Sequence, residues 1–181
     1  MSQYLVRKMK GRNYKEIKGM PYTRREFIPG APRPKIAKFS TGNPSQDYDL
    51  KLELKAKERA QIRHNALEAA RVALNKKLAD VGEGNYYLLV KIYPHIVLRE
   101  NKMIATAGAD RLQEGMRRAF GKPIGLAARV EIDDTIFELS IKKENLQIAK
   151  EALKMASSKL PIPTYVKEIP LKQNVIEVKE K

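Results

Sequence analysis

The stretch Ala107–Gly125, AGADRLQEGMRRAFGKPIG, constrains this chain more than any other, because it sustains neither of the two periodicities from which folded elements are built. It holds four of the ten glycines (Gly108, Gly115, Gly121, Gly125) and four basic residues (Arg111, Arg117, Arg118, Lys122), and no Ser, Thr, His or Cys. A chain of 181 residues is long enough for one domain with a real core. The folded elements must therefore lie on either side of this stretch and close without it. Segments of this length and irregularity inside a compact domain are uncommon unless they are functional or disordered.

The flanks supply those elements. From about Lys51 to Leu78 the composition turns helical, with one apolar stripe at Ile62, Ala66, Ala69 and Ala73 and a neighbouring one at Leu67, Ala70, Leu74 and Leu78. The small residues of the first stripe imply close approach to a sheet. GEGN at 82–85 ends the helix, and YYLLVKIY (86–93) and HIVLRE (95–100) read as strand broken at Pro94. Beyond the Gly/Arg stretch, LAARVEI and TIFELSIK alternate on either side of Asp133-Asp134, which predicts a β-hairpin. ENLQIAKEALKMASSKL places Ala149, Ala152, Leu153, Ala156 and Leu160 on the inner face of a second helix, and PTYVKEI (163–169) reads as a last strand. The expected fold is α+β, a two-layer sandwich with two helices on one face of a mainly antiparallel or mixed sheet.

The N-terminal part has a different character. PYTRREFIPGAPRPKIAKF sets prolines at 21, 29, 32 and 34 among basic residues, which excludes helix and favours polyproline-like or edge-strand backbone. Tyr4, Tyr14, Tyr22 and Phe27 are interleaved with the charge, either as anchors to the domain or as rings to stack on bases. The division expected is an extended basic arm over 1–46, a single α+β RNA-binding domain over 47–170 carrying a loop at 100–125, and a polar tail over 171–181. Residues 1–40 carry eleven Lys/Arg against two Glu, whereas 126–160 balance six against six. The net charge of +15 is thus concentrated outside the parts that read as core, the pattern of a protein that meets a polyanion, nucleic acid before membrane.

Several chemistries are excluded or weakened by the residues themselves. There is no cysteine, so no disulfide, thiolate zinc site or cysteine nucleophile is available. No apolar run approaches the roughly 20 residues of a membrane span, and a soluble, cytoplasmic protein is expected. GMRRAFGKP imitates a phosphate-binding loop, but five residues rather than four separate Gly115 from Gly121, and Pro123 stands where the metal-binding hydroxyl belongs. Asp133 and Asp134 are adjacent, so on a strand they would point to opposite faces; a turn is the simpler reading than a carboxylate pair. His64 and His95 are the only histidines, and neither has a partner at ligand spacing. No catalytic residue, metal site or cofactor is expected, and the chain reads as no enzyme. What remains for the Gly/Arg stretch is nucleic acid: Arg111, Arg117, Arg118 and Lys122 to reach phosphates, and Gly108, Gly115, Gly121 and Gly125 to let the backbone approach a sugar-phosphate surface. On this reading Ala107–Gly125 is shaped by RNA rather than by the protein.

NKMIATAGADRLQEGMRRAFGKPIGLAARV (101–130) resembles the signature of the universal large-subunit ribosomal protein sixteen family, in its archaeal and eukaryotic branch, the ten-e ribosomal proteins. Support extends through ALEAARVALNKK (66–77), VKIYPHIVLRENK (90–102) and PYTRREFIPGAPRPKI, so that the resemblance covers about residues 3–170 and leaves the tail from Leu171 without a counterpart. It implies an α/β hammerhead fold and a structural, non-catalytic constituent of the large subunit, bound as a monomer to large-subunit rRNA beside the aminoacyl-tRNA site and next to neighbouring ribosomal proteins. It further implies that the loop between Arg99 and Gly125, with Lys102, faces RNA and tRNA and points toward the peptidyl-transferase centre. Arg24, Arg25, Arg33, Lys35 and Lys38 of the arm would then lie against RNA. A non-ribosomal RNA-binding translation or RNA-processing factor is the alternative.

Overall fold

The computed structural model describes residues 14–102 and 119–171. Eight strands and two long helices follow in chain order: β1 (Ser40–Gly42), β2 (Leu50–Ala56), β3 (Ala60–Arg63), α1 (His64–Leu78), β4 (Tyr86–Val90), β5 (Ile96–Glu100), β6 (Lys122–Val130), β7 (Thr135–Ile141), α2 (Leu146–Lys159) and β8 (Thr164–Pro170). The strands form two antiparallel sheets, a larger one in the order β1-β4-β7-β2-β8 and a smaller one in the order β3-β6-β5. The fold is α+β with two helices, as the pattern of elements predicts, but its strands are divided between two sheets rather than gathered in one.

Two expectations are corrected at this point. Leu50–Ala56 is a central strand, not the start of a helix, with Leu52, Leu54 and Ala56 buried and Lys51, Glu53 and Lys55 on the other face. Leu, Lys, Glu and Ala are good helix formers, but their strict alternation suits a strand, and pairing with β7 on one side and β8 on the other overrides the propensity. The second correction concerns the hairpin. β6 lies between β3 and β5, whereas β7 lies between β2 and β4, so the two strands flanking Asp133-Asp134 belong to different sheets. Alternation on both sides of a turn does not say which partners the strands take. The burial of Leu126, Ala127 and Ala128 in succession marks β6 as a strand covered on both faces.

The turn itself is a joint. The amide of Asp133 donates to Ala56 O at 2.9 Å and the amide of Ala56 donates to Asp134 O at 3.0 Å, so the passage from β6 to β7 is tied to the passage from β2 to β3. Asp133 adopts φ +68°, a left-handed conformation that aspartate tolerates better than most residues. The Asp134 carboxylate accepts the Glu131 amide at 2.8 Å, and Tyr165 Oη donates to the Asp133 carboxylate at 2.7 Å. Arg59 and Glu131, one from each passage, pair at 2.9 Å.

One core joins these layers. Leu52, Leu139 and Leu88 lie in register across β2, β7 and β4, as do Leu54, Phe137 and Val90, and all six are buried. Onto them pack Leu67, Ala70, Leu74 and Leu78 of α1 and Ala149, Ala152, Leu153 and Ala156 of α2, with Leu160 closing the second helix. The inner face of α2 is the one read from sequence. On α1 only the second stripe is: Ile62 belongs to β3, Ala66 and Ala73 are half-buried and Ala69 is exposed. The helices approach each other closely, and the small side chains at Ala70 and along α2 are what permit it. On the far face of the large sheet Glu53 and Glu138 stand directly opposite, a repulsive pair offset by Lys51, 2.6 Å from Glu138, and by Lys55, 3.4 Å from Glu53.

Ala70→Leu is expected to overpack this contact and cost about 1–3 kcal/mol, whereas Ala69→Leu is expected to stay within about 0.5 kcal/mol of the parent. Urea denaturation followed by circular dichroism checks both.

Candidate nucleic-acid interface

Between Tyr14 and Phe39 the chain has little regular structure of its own, only a single helical turn at Arg25–Phe27, yet the domain holds it along its length. Gln61 of β3 donates its amide to Lys15 O at 2.8 Å and its side-chain nitrogen to Glu16 O at 2.9 Å. Arg129, a cation between buried Ala128 and Val130 at the end of β6, donates to Gly19 O at 3.0 Å. The amide of Val97 in β5 donates to Tyr22 O at 2.8 Å. Ile28 is buried with Val97 and Leu126, and Tyr22 and Ala31 pack on that small cluster. Further on, the amide of Lys35 donates to His64 Nδ1 at 3.2 Å, the amide of Val90 donates to Phe39 O at 2.8 Å, and β1 pairs with β4.

These contacts decide where the basic side chains stand. Arg24, Arg33, Lys35 and Lys38 are exposed, and Arg25, also exposed, donates to Pro32 O at 2.9 Å, closing the segment that follows the helical turn. The Arg99 guanidinium lies 4.4 Å from the centre of the Tyr22 ring. That contact brings the arm onto the strand that leads to the Gly/Arg stretch. Lys102 and Lys122, at the two ends of that stretch, are exposed, and Lys122 stands opposite Glu100 in the β5–β6 ladder. Of the remaining candidates, Gly108, Arg111, Gly115, Arg117 and Arg118 lie outside the described residues, as does Tyr4.

The C-terminal end of the stretch is strand. Lys122–Gly125 belong to β6, so this end of the stretch is shaped by the protein, contrary to the expectation that RNA shapes it as far as Gly125. Gly125 is buried opposite Leu98, with His64 Nε2 3.6 Å from where a Cβ would stand, an ordinary contact. Gly121 differs: at φ +83° its Cβ would come within 2.6 Å of the Glu100 carbonyl carbon and 2.9 Å of the Asn101 nitrogen. Its requirement is internal, the close passage of two backbones at the base of the loop.

The aromatic residues of the arm divide in the same way. Tyr22 anchors it, and the Arg63 guanidinium lies 5.9 Å from the centre of the Tyr14 ring, which places Tyr14 against the domain as well, where burial and then Glu100 raise its pKa. Phe27 remains 70% exposed. The residues missed from sequence are the organisers: Gln61, Arg129 and His64, whose signal is a polar side chain at a position otherwise reserved for apolar ones. His64 is buried, and burial, followed by the charges of Arg63 and Lys35, pushes its pKa below the ordinary histidine value. Because Nδ1 accepts the Lys35 amide, the proton of the neutral ring is assigned to Nε2. Among the described residues no group of three or more His, Asp or Glu could hold a metal ion, and no helix is long and apolar enough to cross a membrane.

The profile of the family described as ribosomal protein L16p/L10e matches residues 17–167. The large ribosomal subunit protein uL16 of Hyperthermus butylicus is 58% identical over 90% of this chain and 91% of its own length. Its counterparts in Staphylothermus marinus and Metallosphaera sedula are 59% and 55% identical over 89% and 90% of this chain, and over 93% and 95% of their own lengths.

Gly121→Ala is expected to cost about 1–3 kcal/mol through its left-handed backbone alone, and more through the clash, while Gly125→Ala is expected to be nearly neutral. Chemical denaturation of the two variants separates them. For His64 the folded pKa lies below the unfolded value of about 6.5, so on acidification the unfolded chain takes up the proton first. The stability that the neutral ring contributes is complete above that value and is lost as the pH falls toward the folded pKa. The urea midpoint of the parent protein is expected to fall on going from about pH 7.5 to about pH 5.5, and to fall less in His64→Gln, which cannot titrate.

Proposed function

The chain belongs to the ribosomal protein L16p/L10e family, and from that premise we propose that it is a structural constituent of the large ribosomal subunit that binds large-subunit rRNA near the aminoacyl-tRNA site and helps to shape the tRNA-binding region. The observation that carries this reading is the basic arm held on a folded domain: Gln61, Arg129 and Val97 fix its backbone, Arg24, Arg25, Arg33, Lys35 and Lys38 stay exposed along it, and the Arg99 guanidinium over the Tyr22 ring joins it to the strand that leads to the loop. Fixing these side chains on a folded domain removes much of the ordering cost that a free basic tail incurs on binding a polyanion. The protein acts as a scaffold in this reading, not as an enzyme. Its place is the cytoplasmic ribosome, one copy per particle, in contact with rRNA and with neighbouring ribosomal proteins.

The finer assignments follow the family resemblance. Residues of the loop between Arg99 and Gly125, among them Arg111, Arg117 and Arg118, reach RNA and the aminoacyl-site tRNA and point toward the peptidyl-transferase centre. Gly108 and Gly115 allow close backbone approach there.

The arm and loop are expected to neutralise phosphates while the nearly neutral core does not. Binding of the full chain to large-subunit rRNA should then weaken steeply with salt, with a log–log slope of magnitude about 5 or more for roughly seven contacts. Joint replacement of Arg24, Arg25, Arg33 and Lys35 by Ala is expected to flatten that slope with the domain still folded. Salt-independent binding contradicts the reading. Sedimentation distinguishes a ribosomal component, which stays with the large subunit through moderate salt, from a factor that washes off.

A further inference from the structure

Three rings form a ladder at the surface where the arm crosses the connection between β4 and β5. Phe39 and Tyr93 are stacked with centroids 5.3 Å apart and planes 23° apart, and Tyr93 meets His95 at 4.7 Å with a tilt of 49°. The ladder is closed at one end and open at the other. Phe39 packs against the main core and its carbonyl is held by the Val90 amide. His95 is exposed at the far end, and Tyr93 between them is still 38% exposed. A tight turn about buried Pro94, closed by the His95 amide donating to Tyr93 O at 3.0 Å, sets the last two rings side by side. Exposed Lys38 directly precedes Phe39 in the chain, and Lys91, two residues before Tyr93, pairs with Glu138 at 3.5 Å.

From this geometry we infer that the Phe39–Tyr93–His95 ladder is a stacking site for an unpaired RNA base, received on the open face of the His95 imidazole; the inference rests on the RNA-binding reading above and names one form of RNA that the surface accepts. An aromatic ladder rooted in the core is preorganised, so a base added to its end gains the stacking contact without ordering the rings beneath it. A base in a duplex is already stacked on both faces and cannot enter, whereas a looped-out or single-stranded base can. Lys38, exposed and next to Phe39 in the chain, is the cation available to the phosphate that accompanies such a base. Tyr22, by contrast, already carries the Arg99 guanidinium and serves the protein.

The test uses the full chain and two RNA probes: a single-stranded oligoadenylate of about 12 nucleotides with a central 2-aminopurine, within the site sizes known for such surfaces, and a duplex of equal length. His95→Ala is expected to weaken oligoadenylate binding about five- to one-hundred-fold and to reduce quenching of the 2-aminopurine, with duplex binding and the thermal midpoint unchanged. His95→Phe is expected to restore binding. If His95→Ala binds the single strand as the parent does, or if His95→Lys restores it and His95→Phe does not, the ladder is an internal brace or a charge site and the inference is overturned. If the parent chain binds neither RNA, the RNA-binding reading fails and the inference fails with it.

Discussion

The reciprocal pair of hydrogen bonds between Ala56 and the Asp133-Asp134 turn governs the arrangement of everything else. Among the described residues the chain changes sheets four times, and two of those changes, from β2 to β3 and from β6 to β7, meet at this joint. Backbone polar groups at such a crossing have no ladder to satisfy them, and leaving them buried and unpaired would be costly. Pairing one crossing with the other solves the problem for both and fixes the small sheet against the large one. The left-handed residue at Asp133, the carboxylate of Asp134 on the Glu131 amide and the Tyr165 hydroxyl on Asp133 all serve that geometry.

From this joint the placement of the basic surface follows. The small sheet, set by the joint, carries Gln61, Arg129 and Val97 to the arm, and its β5–β6 pair carries Arg99 and Lys122 to the base of the loop. Nothing in the arm's own sequence dictates its path. Its prolines exclude alternatives, and the domain selects among what is left. The course of the arm is therefore a property of the sheet as much as of the arm, and Arg129, which donates to Gln61 and to the Lys18 and Gly19 carbonyls, has a large part in setting it.

The local elements were largely legible in the sequence, and their partners were not. The inner face of α2 and the strands at 86–90, 96–100 and 164–170 are where periodicity places them, because burial on one side imposes a period that single residues report. LKLELKA was misread because good helix formers alternated with strand period, and only the two flanking strands decide between the readings. The hairpin failed for a related reason: a turn signal fixes a change of direction and says nothing about sheet membership. Arg24, Arg33, Lys35, Lys38 and Lys122 are exposed, as their charge suggests. Gly121 was legible as a special residue, but the backbone it meets, that of Glu100 and Asn101, comes from a strand twenty residues away and leaves no local trace.

The arm's hydrogen bonds have one more consequence. β3 and β5 are the outer strands of the small sheet, and the amides that would point outward from them at Gln61 and Val97 are taken by Lys15 O and Tyr22 O, one on each side. Outer strands with open amides are templates for pairing with another chain, and proteins commonly cover them. The arm wraps the small sheet from one flank to the other and covers both. A domain stripped of its arm would lose most of its net positive charge and at the same moment open two outer strands of the kind that pair with another chain, so the segment that carries the charge is also the one that caps the sheet.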